Sequence, residues 1–187
     1  MKQAQVLTER DTRAVLSCIA RSAFPARNRA LFMVGLLTGM RVGELAALSV
    51  SDVVDSKGKV REQILLRAHQ TKGKEARTVL LNTHAKEELE RYLRGIERSG
   101  IAPLFLSKVG KRFSANSLCQ VMGRLYDNCG LDAATSHSTR RTFITNLAHK
   151  GVNVRVLAAL AGHASISTTQ RYIDLNENVL RAAVELA

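Results

Sequence analysis

Four short stretches of this sequence gather polar residues in patterns suited to chemistry. In Thr38-Gly39-Met40-Arg41-Val42-Gly43-Glu44-Leu45 an apolar run stops at a glycine and an arginine follows closely. If Arg41 opens a helix, Glu44 lies one turn on, on the same face, and its carboxylate can hold a guanidinium aimed at a phosphate. Alone, the pair reads as a surface ion pair of little worth. In Thr71-Lys72-Gly73-Lys74-Glu75 the glycine lets a turn tighten and bring either lysine close to a ligand. Alone, this is a solvated basic loop. In Ser136-His137-Ser138-Thr139-Arg140-Arg141, His137 and Arg140 stand three apart and face one way on a helix. At a helix N-terminus they make a good anion site. Finally, Ala161-Gly162-His163-Ala164 is followed, nine residues after the histidine, by Tyr172. Taken separately, these last two are a helix stop and a packed aromatic.

Together the four stretches form a coherent kit for cutting a phosphodiester without a metal. Two arginines give bidentate, charge-assisted bonds to the non-bridging oxygens of a pentavalent transition state. A lysine in a hairpin can protonate the leaving 5′ oxygen. A tyrosine phenol can form a phosphate ester that conserves the bond energy. Its ordinary pKa near 10 is offset by surrounding cations.

Such residues need a scaffold, and the 187 residues suffice for about one domain. A fold of this length buries roughly 70% of its unfolded surface. The spacing predicts a mainly α fold with a small antiparallel hairpin or three-stranded sheet. Thr8 and Asp11 form a capping box that opens a helix carrying Val15, Leu16, Cys18 and Ile19. Further helices are expected over residues 26–37, 42–48, 83–99, 114–128 and 138–150, and from a cap at Asn153 to Ala161-Gly162. Residues 57–70 and 76–81 read as β-like runs around the lysine turn. Residues 57–77 hold seven basic residues against two acidic ones. The tail after residue 165 reads as helical or broken-helical, with Ile173, Leu175, Val179, Leu180, Ala183 and Val184 forming an apolar stripe.

Composition narrows the partners. Lys plus Arg number 28 and Asp plus Glu 16, a net charge of +12. Hydrophobic and charged contents of 45% and 24% exclude a disordered tail or a disulfide-rich miniature. The strong positive charge favours nucleic acid. Aromatics at 4% leave little material for the base-stacking platforms of an RNA binder. The longest apolar run, residues 30–37, is too short to span a bilayer, so no membrane partner is expected. The odd set Cys18, Cys119 and Cys129 argues against a disulfide framework and for the cytoplasm. No zinc-ligand spacing occurs.

In order and spacing, the four boxes resemble the catalytic domain of the tyrosine recombinases, the phage-integrase family. The match runs from about residue 8 to the C-terminus. Thr-Gly-Met-Arg41-Val-Gly-Glu-Leu is similar to that family's first arginine box, the Lys72 segment to its β-hairpin, His137-Ser-Thr-Arg140 to H-x-x-R, and Gly162-His163 with Tyr172 to its closing box. The resemblance implies that Arg41 and Arg140 clamp the scissile phosphate, with Glu44 supporting Arg41. It implies that Lys72, rather than Lys74, is the general acid. His137 and His163 would hydrogen-bond the phosphate and assist proton transfer. Tyr172 would become a 3′-phosphotyrosine and free a 5′-hydroxyl. Lys74, Arg77 and Arg141 are expected on DNA. No metal or other cofactor is implied. The implied partner is double-stranded DNA, with four protomers assembled on two sites, the protein without DNA being a monomer. Thr139 and Ala161 stand where the family carries a bulky apolar residue and a leucine.

The expected organisation is a single catalytic domain over residues 1–187, with a core at 8–173 and a tail at 174–187. The family's separate N-terminal core-binding domain is expected to be absent, as in a catalytic fragment or a minimal recombinase the size of the fimbrial invertases. Two rivals share the sequence features: a catalytically idle DNA-binding regulator of the same fold, and a type IB topoisomerase-like relaxing enzyme.

Overall fold

The computed structural model describes residues 4–97, 99–172 and 184–185. Helix α1 (Glu9–Ala20) starts at the capping box: Asp11 N–H donates to Thr8 Oγ1 at 3.1 Å and Thr8 N–H to Asp11 Oδ2 at 3.0 Å. Helix α2 (Pro25–Thr38) has proline in its first turn, where the missing N–H costs nothing. Ala30, Leu31, Phe32 and Val34 are all buried, so α2 runs through the middle of the molecule rather than along its surface. Leu31, Phe32 and Val34 each contribute about 1.5–3 kcal/mol on burial.

Two short helices follow, α3 (Val42–Ala47) and α4 (Val50–Val53). Strands β1 (Gln63–Leu66) and β2 (Arg77–Leu80) pair antiparallel with Ile64 opposite Val79. Ile64, Leu66 and Val79 face the core while Leu65 and Leu80 face out, the period-two pattern of a half-buried ribbon. The β structure is shorter than its composition suggests. Asp55 Oδ1 accepts the N–H groups of Lys57 and Lys59, which holds that stretch in a turn. Gln70 Oε1 takes Arg67 N–H and closes a 3₁₀ turn over Ala68–Gln70. Side chains have claimed the donors that a longer ladder would need. Among the described residues the sheet has two strands, beside an isolated bridge between Val54 and Val60.

Helix α5 (Thr83–Leu93) ends earlier than the expected residue 99, because Gly95 follows its last turn and donates to Tyr92 O at 3.1 Å. Arg29 binds Glu88 with bonds of 2.9 and 2.7 Å, tying α2 to α5. Helices α6 (Ala115–Asp127), α7 (Ser138–His149), α8 (Val154–Ala161) and α9 (Ile166–Gln170) complete the order. Tyr126 of α6 meets Phe32 edge to face at 6.4 Å. Cys18, Cys119 and Cys129 are free thiols. Of the apolar stripe expected after Tyr172, Ile173 to Ala183 lie outside the described residues; Val184 is exposed. No helix among the described residues is long and apolar enough to cross a membrane.

Candidate active site

The site begins where α2 stops. Gly39 has φ +63°, a left-handed corner that only glycine enters without strain. A β-carbon there would also strike the Phe143 ring of α7. The corner sends the chain into Arg41, which is extended at the start of α3. Glu44 Oε2 accepts Arg41 N–H at 2.7 Å and Glu44 Oε1 accepts Arg41 Nη1 at 3.1 Å. Arg41 Nη2 donates to the carbonyl of Gly162, at the far end of α8, at 2.9 Å.

Glu44 is 1% exposed and holds a second guanidinium. Arg77 of β2 donates from Nε to Oε1 at 3.1 Å and from Nη2 to Oε2 at 2.7 Å, and from Nη1 to Leu160 O at 3.2 Å. Arg77 was expected on DNA; its guanidinium instead clamps a buried carboxylate and the end of α8. Burial alone would raise the Glu44 carboxyl. The Arg77 bonds and charge, with the Arg41 N–H and charge, outweigh it and hold Glu44 below the usual carboxylate range.

Arg140 projects from the first turn of α7 and is 5% exposed. Its Nη1 donates to Gly39 O at 2.8 Å. Its Nη2 is buried and has no hydrogen-bond partner among the described residues. A buried orphan donor is rare in proteins and marks a site where an acceptor is wanted. Burial first, then the charge of Arg41, lowers the Arg140 pKa to about 10, so it stays cationic at neutral pH. Three guanidinium groups gather around one carboxylate here, which pairs with two of them, leaving an excess of positive charge in a poorly solvated place. That is the electrostatics of an anion site.

His163 follows Gly162, the second left-handed corner, at φ +62°. A β-carbon on Gly162 would lie 2.6 Å from Arg77 Cδ. The imidazole Nδ1 is 2.8 Å from Thr169 Oγ1. Its ring stacks on Tyr172 with centroids 5.8 Å apart and planes 19° from parallel. Burial, then Arg140, Arg41 and Arg77, pushes the imidazole down to about 4, so it is neutral at pH 7.

Arg41, Lys72, Arg77 and His163 line one cleft of about 470 Å³. Thr71 Oγ1, 2.8 Å from Glu75 O and 3.1 Å from Ala68 O, pins the lysine turn. Lys72 and Lys74 are both exposed, and Lys74 has φ +54°. His137, Arg141 and Tyr172 line a second hollow of about 250 Å³ with Arg171 and Thr168. His137 is exposed ahead of α7, and Arg141 lies over the Tyr172 ring at 6.0 Å with its Nε buried and unpartnered among the described residues. The His163–Tyr172 stack joins the two hollows. Sequence reading missed the role of Arg77 and the participation of Thr169. Arg77 is joined to Glu44 across 33 positions, which no local spacing reveals. Thr169, three residues before Tyr172, offered only a shared helix face as a signal.

Chemically, this assembly can grip a phosphate with guanidinium and imidazole donors, with an amine and a phenol nearby. A family model described as "Phage integrase family" matches residues 5–178. The tyrosine recombinase XerC of Syntrophus aciditrophicus is 33% identical over 174 residues, covering 88% of this chain and 54% of that relative. A crystal structure of XerA recombinase superposes with a TM-score of 0.77 at 28% identity, covering 100% of this chain and 66% of that one. The XerH site-specific recombinase bound to a palindromic difH substrate, a post-cleavage complex, gives 0.72 at 26% identity, covering 96% and 51%. The chain spans a little over half the length of the curated relatives it matches first.

Proposed function

The chain belongs to the phage integrase family, and on that premise we propose that it is the catalytic part of a site-specific recombinase that cuts and rejoins double-stranded DNA. Arg41 and Arg140 donate to the non-bridging oxygens of the scissile phosphate, and charge growing on those oxygens strengthens the bonds. Tyr172 Oη gives up its proton to water, attacks phosphorus and forms a P–O bond as the bond to the 5′ oxygen breaks. Lys72 gives that oxygen its proton. His163, neutral at pH 7, serves as a hydrogen-bond donor rather than an acid, and His137 supplies a further bond. Rejoining is the reverse, with a 5′-hydroxyl displacing the phenol. One phosphate ester replaces another in each step, so no nucleotide is consumed.

Strand exchange on this reading uses four protomers on two DNA sites in the cytoplasm, where DNA is found. The observation that carries it is a chain of contacts through three of the four boxes, Arg140 to Gly39, Arg41 to Gly162, His163 to Thr169, and His163 against Tyr172, with Lys72 of the remaining box lining the same cleft as Arg41 and His163. The test is incubation with a pool of nicked duplexes with randomised centres. The nick lets the 5′ fragment escape and traps a covalent adduct that survives detergent. Loss of the adduct in Tyr172→Phe supports the assignment. An adduct that persists in that variant refutes Tyr172 as the nucleophile, and no adduct from the wild type refutes the function.

A further inference from the structure

Thr169 is fully buried in α9, and its two polar groups reach different parts of the site. Its hydroxyl oxygen lies 2.8 Å from His163 Nδ1. Its carbonyl accepts Tyr172 N–H at 2.9 Å. One residue therefore touches both the histidine of the larger cleft and the backbone that presents the phenol.

The bond between the hydroxyl and Nδ1 could run in either direction, and donor accounting selects one. A threonine hydroxyl carries a single proton. Among the described residues, Thr169 Oγ1 has no hydrogen-bond partner other than Nδ1. If Nδ1–H donated, the buried hydroxyl proton would have no acceptor, which native proteins seldom tolerate. If the hydroxyl donates, that proton is used and Nδ1 accepts. The one proton of the neutral imidazole then sits on Nε2. An Nε2–H can donate to an anionic phosphate oxygen; an Nε2 lone pair would be repelled by it.

We propose that Thr169 is a positioning residue that locks His163 in the tautomer with its proton on Nε2, and that it links this state to the seating of Tyr172. The inference rests on the reading of His163 as a phosphate ligand. The cations facing the ring, Arg140, Arg41 and Arg77, favour its neutral form. Fixing a ligand's tautomer through its second nitrogen is a general device, with effects of about tenfold and above.

The test uses the full chain with ¹⁵N-labelled histidine. Long-range ¹H–¹⁵N spectra of the wild type and Thr169→Ser are expected to show Nε2 protonated and Nδ1 bare. Thr169→Val, close in shape but without the hydroxyl, is expected to show a mixture. Inorganic phosphate should shift the Nε2 resonance in the wild type and less so in the valine variant. With the nicked pool, Thr169→Val should slow adduct formation about tenfold without weakening duplex retardation, and Thr169→Ser should recover most of the loss. A wild-type ring protonated on Nδ1 overturns the proposal. So does a valine variant with unchanged tautomer and rate. If phosphate leaves the ring unmoved, the phosphate-ligand part falls. If the wild type shows the expected tautomer but forms no adduct, the enzymatic reading fails while the threonine lock stands. Should the valine variant not fold, the wild-type and serine spectra decide the tautomer.

Discussion

Glu44→Gln is the sharpest perturbation of the arginine cluster, since it changes one charge and almost no volume. The carboxylate accepts four bonds: two from Arg41, at 2.7 and 3.1 Å, and two from Arg77, at 3.1 and 2.7 Å. In the amide, one end becomes a donor facing guanidinium donors, and the buried positive charge loses its counter-ion. Breaking a buried pair in this way costs about 3–5 kcal/mol. For a chain of this size each kcal/mol moves Tm by about 2–4 °C, so the expected fall is about 6–20 °C, read by circular dichroism. The wild-type carboxyl titrates below its ordinary value in the folded state. Its contribution is complete above the unfolded pKa of about 4.3 and is lost as pH falls through the lower folded value. The two melting curves should therefore draw together as pH falls below the unfolded value and meet once it passes the lower folded one. A double-mutant cycle with Arg77→Met should give a coupling energy above about 1 kcal/mol. A Tm change under about 2 °C, or additive effects in the cycle, would refute the clamp.

Three further outcomes follow from the same geometry. Arg140→Ala should leave duplex retardation largely intact and lower the adduct rate by about 10²–10³-fold, since it removes donors that meet charge forming on phosphate; equal loss of both would move Arg140 from catalysis to docking. Gly162→Ala should destabilise the fold by more than about 1 kcal/mol, because φ is +62° and the new methyl would strike Arg77; a denaturant midpoint equal to wild type would contradict this. Because His163 is held near pKa 4, single-turnover cleavage should gain no step from its protonation between pH 5 and 8. A step in that range that disappears in His163→Gln would show that the ring is not neutral there.

What the sequence made legible was governed by local chemistry. The Thr8–Asp11 box, the Asn153 cap and the stops at Gly39 and Gly162 all act within a turn of helix, and each is observed where it was expected. The hairpin strands were overestimated because, in the β-like stretches 57–62 and 67–70, Lys57 and Lys59 give their backbone donors to Asp55 and Arg67 gives its donor to Gln70. Helix α5 was extended too far because the stripe through Ile96 continues past Gly95, and Ile96 packs on the core without being helical. The four boxes could be singled out from order and residue type, and residues of three of them meet in the fold. The partnership of Arg77 with Glu44 could not, because a basic hairpin looks solvated until the fold brings a buried carboxylate beneath it.

Both left-handed glycine corners of the site turn out to be read by arginines. Arg140 is anchored on the carbonyl of Gly39, and Arg41 on that of Gly162. Each carbonyl sits at the negative end of a helix, where a cation is welcome. Each arginine thus depends on a helix terminus distant in sequence being seated correctly. A half-assembled molecule with α8 adrift would still bear every reactive group, yet Arg41 would have lost its rest. The architecture therefore behaves as an interlock: the pair of arginines is set only when the distant helix ends have closed on it.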